Sequence, residues 1–101
     1  MSLNIDLYKQ HDNLIKLKKE TYDKLYKRCK KKIQLTAGIG ELVCIFEIPN
    51  FVFGMGYPII NIKSCANYMM NKLTSENSNL KTSFIEPNLV LIDWRRANDL
   101  Y

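Results

Sequence analysis

The chain has 101 residues, 47% hydrophobic and 25% charged, with a formal charge of +5. That length holds one compact domain plus an appendage, and the apolar content is too high for a disordered segment. A single histidine and three scattered cysteines (Cys29, Cys44, Cys65) exclude most zinc patterns and any imidazole-centred catalytic set, so composition points away from an enzyme.

The first element is a helix over about Asp6–Thr36. Tyr8, His11, Ile15, Lys18, Tyr22, Leu25, Cys29, Ile33 and Thr36 recur at three- and four-residue steps with no Pro or Gly between them. Gly38 and Gly40 supply its C-terminal stop. About thirty helical residues span about 45 Å, whereas the remaining chain makes a body only about 20–25 Å across. Part of the helix is therefore expected to project.

The same helix carries the whole charge excess. Residues 16–32 contain nine Lys or Arg against Glu20 and Asp23, a net +7, and the flanking segments are each −1. Lys16, Lys19, Lys24, Lys27, Arg28, Lys30, Lys31 and Lys32 form a candidate phosphate-binding set, with Tyr22 and Tyr26 interleaved as candidate stacking residues. The plainer reading is a solvated face whose tyrosines belong to the core. The apolar stripe supports a different function, helix-mediated self-association or docking on a protein partner. Its candidates are Tyr8, Ile15, Tyr22 and Leu25, although His11 and Lys18 at seam positions weaken a long coiled coil.

Glu41–Ile48 is apolar on both alternating faces and reads as a central strand covered on both sides, ended by Pro49. Residues 50–60 read as a loop rich in aromatics and glycine. Phe53 and Met55 are its candidate contact residues, while Phe51 and Tyr57 are expected to pack. Gly54-Met55-Gly56 lacks the third glycine and the Lys-Ser/Thr of phosphate loops. Asn61 caps a second helix to about Thr74, with Ile62, Cys65, Ala66, Met69 and Leu73 as one stripe opposite Lys63, Asn67 and Asn71. A hairpin follows, Leu80–Ile85 and Leu89–Trp94 about Pro87-Asn88.

The expected fold is α+β: a long basic amphipathic helix over 1–37, a small body over 41–95 with a three-stranded antiparallel sheet, and a tail over 96–101. The three cysteines fall on apolar faces and are expected to be buried and inert. No carboxylate pair has the spacing of an acid–base dyad. No catalytic residue, metal, cofactor or small-molecule substrate is expected. The longest uncharged run, Ile48–Ile62, is broken by two prolines and two glycines, so no membrane association is expected. With no leader pattern and unpaired cysteines, an intracellular setting is expected. Lys, Asn and Ile together make up about a third of the chain, and their codons fit an A/T-rich genome.

Several ordered landmarks carry a resemblance. Arg28-Cys29 with Ile33, Phe46-Glu47-Ile48-Pro49, Gly56-Tyr57-Pro58-Ile59, Cys65 with Tyr68, Pro87-Asn88-Leu89 and Ile92-Asp93-Trp94 together resemble a family of small uncharacterised proteins. That family occurs in nucleocytoplasmic large DNA viruses, the giant viruses of amoebae and algae. The resemblance covers roughly residues 20–95. It implies a viral origin, a small α+β unit attached to variable polar or basic segments, and no catalytic residues to carry over. The expected function is a non-enzymatic interaction module, a virion component or assembly factor in the host cytoplasm or the virion. Nucleic-acid binding by the basic helix is the alternative.

Overall fold

The computed structural model describes residues 3–49 and 61–96, with side chains from residue 7 onward in the first helix. The elements are α1 (Leu3–Gly38), β1 (Val43–Glu47), α2 (Ile62–Glu76), β2 (Lys81–Ile85) and β3 (Leu89–Asp93). This is the expected α+β order with a three-stranded antiparallel sheet. The loop candidates Phe53 and Met55, the packing expectation for Phe51 and Tyr57, and residues 97–101 lie outside the described residues.

Both helices end where local chemistry ends them. After α1 the chain turns at Gly40, whose φ of +89° suits a residue without a Cβ. Asn61 opens α2 by accepting a 3.0 Å hydrogen bond from the Ser64 amide through its side-chain oxygen. Its apolar stripe then buries Cys65, Ala66, Met69 and Leu73.

The strand order is β1-β3-β2, which corrects the expectation that the first strand is central. The tight β2–β3 hairpin makes those two strands neighbours, and β1 pairs with the remaining edge of β3, register Cys44↔Ile92 and Phe46↔Val90. Helices cover one face only. Cys44, Phe46, Val90 and Ile92 point into the core, while Ile45 and Ile85 on the opposite face remain exposed. Among the described residues, apolar positions on both faces therefore go with cover on one face. On the free edge of β1, Lys32 Nζ donates to the Ile45 carbonyl at 2.6 Å. A lysine there occupies an acceptor that another strand would otherwise use.

The core joins α1, β1, α2 and β3 through Leu25, Cys29, Phe46, Met69, Val90 and Ile92, together with Ile48 just after β1, and Phe84 of β2 and Trp94 pack at its margin. Its dimensions decide the shape of the molecule. A 36-residue α1 is about 54 Å long, and the molecule measures 67 × 25 × 23 Å. The helix outruns the body that it covers.

Candidate functional site

The C-terminal half of α1 is committed to its own body. Tyr22, Leu25, Tyr26 and Cys29 are buried against α2 and the sheet. Tyr22 and Leu25, candidates for a partner interface, therefore hold α1 on the body. Tyr26 is likewise removed from any stacking role: at 5% exposure its ring has no face for a base. The plainer reading, that the tyrosines belong to the core, holds for both: Tyr26 stands one turn after Tyr22 and three residues before Cys29, on the same face.

Polar contacts lock this packing. The Asn61 amide donates to the Tyr22 hydroxyl at 3.2 Å, tying the start of α2 to α1. The Tyr68 hydroxyl donates to Asp23, and Lys72 Nζ lies 3.3 Å from the same carboxylate oxygen. The Tyr68 hydrogen bond, followed by the Lys72 ammonium, holds the Asp23 carboxyl below its ordinary range. A second pair, Lys30–Glu76 at 3.2 Å, flanks the Tyr26 ring. Burial, helped by the nearby Glu76 carboxylate, pushes the Tyr26 phenol upward.

Toward its N-terminus α1 leaves the body. Every side chain from Leu7 to Lys16 is exposed, including Leu7 (54%), Tyr8 (71%), Leu14 (46%) and Ile15 (54%). At 100° per residue these four fall on the side of the helix that carries Tyr22, Leu25 and Cys29 further along. The apolar face thus continues without the body to cover it. Tyr8 and Ile15 sit where the stripe placed them. Leu7 and Leu14 complete it, and their signal was a seven-residue step that ends on the buried Thr21.

The basic residues divide into two groups. Lys30 is engaged by Glu76 and Lys32 by the Ile45 carbonyl. Lys16, Lys24, Lys27 and Lys31 stand on the face opposite the core and are exposed, with Arg28 exposed at its margin beside the end of β1 and Lys19 exposed to the other side near Asp23. Lys24, Lys27, Arg28 and Lys31 follow the i, i+3, i+4, i+7 pattern of one ridge, about 10 Å long.

Elsewhere, a cleft of about 640 Å³ at the end of the sheet is lined by Leu42, Asn77–Asn79, Lys81, Trp94, Arg95 and Arg96. The three cysteines are buried free thiols, as expected, and burial pushes Cys29 and Cys65 up to about 12. Among the described residues no group of His, Cys, Asp or Glu comes together to hold a metal ion. No described helix is long and apolar enough to cross a membrane.

Comparison with known proteins agrees with the landmarks. A family of unknown function (DUF5759) matches residues 3–74, and the chain belongs to that family. It is 57% identical over 91 residues to an uncharacterized protein of Acanthamoeba polyphaga mimivirus, covering 90% of this chain and 74% of the relative. The resemblance to uncharacterised giant-virus proteins is thereby established. No solved structure matches.

Proposed function

We propose that this member of a viral family of unknown function is a non-enzymatic interaction module, which associates through the projecting half of α1. One observation carries the reading: Leu7, Tyr8, Leu14 and Ile15 extend the core-facing side of α1 beyond the core. The occupant is a second copy of the chain in antiparallel register about His11. That register sets Leu7 against Ile15 and Tyr8 against Leu14. A parallel register would instead lay two +7 segments side by side and drive the bodies together. The four side chains bury roughly 800 Å² in the pair, about half of a standard interface. Association is therefore weak, micromolar or weaker, and suits a component concentrated during virion assembly or within the virion.

Light-scattering mass across a concentration series tests this. Wild type shifts from monomer toward dimer, and the double variant Leu14→Asp, Ile15→Asp stays monomeric. A mass fixed at the monomer at the highest concentrations, or unchanged dimerisation of the double variant, overturns it.

The exposed ridge of Lys24, Lys27, Arg28 and Lys31 favours a second reading, nucleic-acid backbone binding. Affinity for duplex DNA or RNA then falls steeply with salt and is lost when the four residues become Glu. Salt-insensitive binding, or none, eliminates it.

A further inference from the structure

The cleft at the end of the sheet combines three kinds of group that neither surface of α1 brings together. Trp94 is half-buried, packs on the core with part of its indole and lines the cleft. Three cations surround it, Lys81, Arg95 and Arg96. Arg95 is held by Asp93 in a bidentate arrangement, Nε and Nη2 donating at 2.8–3.2 Å, and this holds the Asp93 carboxyl down at about 2. Lys81 and Arg95, less the Asp93 carboxylate, leave a net charge of +1 at the mouth. On the third side, the turn after α2 presents Asn77, Ser78 and Asn79. The Asn77 side-chain oxygen accepts from the Asn79 amide at 3.0 Å, which fixes the turn at the mouth of the cleft.

We infer that this cleft binds a nucleotide: a base against Trp94, its phosphate beside Lys81 and the fixed Arg95 guanidinium, its polar edge toward the Asn77–Asn79 turn. The volume lies within the range of about 300–1,000 Å³ of small-ligand sites. A flat π-surface beside fixed cations suits a flat heterocycle that carries an anion, because stacking and charge pairing are satisfied by one molecule. A simple anion would gain nothing from the indole, and an acidic peptide nothing from its flatness. The same chemistry is offered by a free nucleotide and by a base of a single strand. The site is separate from the projecting half of α1, so its failure would leave helix association untouched.

Trp94 is the only tryptophan in the chain and reports on its own cleft. Its fluorescence, excited at the red edge of the absorption, is titrated with adenosine 5′-monophosphate, a short oligothymidylate, inorganic phosphate and poly-L-glutamate. Saturable quenching by the mononucleotide supports the site and names a free nucleotide as ligand. Quenching by the oligonucleotide alone supports it with a strand as ligand. Lys81 is exposed and outside the core, so Lys81→Glu keeps the fold and should weaken the response at least about fivefold. The variant Lys24→Glu, Lys27→Glu should leave mononucleotide binding unchanged. Equal responses to phosphate or polyglutamate, no saturable response, or full binding by Lys81→Glu would each overturn the inference.

Discussion

Leu14 and Leu25 are the same residue on the same side of one helix, and the body gives them opposite surroundings. Leu25 is fully buried among the side chains of α2 and the sheet, whereas 46% of Leu14 is exposed. Leu25→Ala therefore removes transfer free energy and leaves a cavity, a loss of about 2–5 kcal/mol. A domain of this size has about 5–15 kcal/mol in total, so the variant loses a large share of it. At roughly 4–8 °C per kcal/mol its melting point falls by at least about 8 °C. Leu14→Ala opens no cavity in the monomer and replaces one good helix former by a better one. Its stability should stay within about 0.5 kcal/mol of wild type. Urea unfolding followed by Trp94 fluorescence, at concentrations too low for association, separates the two. A loss above about 1 kcal/mol for Leu14→Ala, independent of concentration, would mean that the N-terminal half packs on the body. A loss below about 1 kcal/mol for Leu25→Ala would refute the core assignment.

Three further outcomes are expected. Asp23 is held below its ordinary pKa in the folded protein, so its contribution is complete above the unfolded value of about 3.9 and disappears as pH falls through the folded value. Asp23→Asn should flatten the acid limb of stability between those two values in urea titrations over a pH series; an unchanged limb removes the Tyr68–Lys72 clasp from the account. Cys29 and Cys65, both raised to about 12, should resist a thiol reagent at pH 8 in the native protein and react fully in urea. Rapid native labelling would contradict their burial. Asn61→Ala should destabilise by about 1 kcal/mol through loss of the cap to Ser64, and Asn61→Asp should restore most of it in the same unfolding assay.

The parts legible in the sequence are those set by near neighbours. The α-β-α-β-β order, the Asn61 cap, the α2 stripe, the hairpin and the stop after Gly38 depend on periodicity, capping and turn chemistry within a few residues. The projection of α1 also followed from length alone, since a helix rises by a fixed amount per residue while a body of some sixty residues has a bounded width. The +7 segment was visible in the same way.

Tertiary structure alone decided which of those residues face a partner. The β1 pattern is apolar on both faces whether the strand is central or at an edge, and only the pairing with β3 placed it at the edge. Tyr8 and Tyr22 share one stripe, yet the point where the body ends leaves one exposed and seals the other. Lys30 and Lys31 are adjacent in the chain. Only α2 distinguishes them, because Glu76 lies beside the first. The Trp94 cleft was beyond local reading for the same reason. It joins the end of β3, the start of β2 and the turn after α2, and residues brought together from separate elements leave no period in the chain.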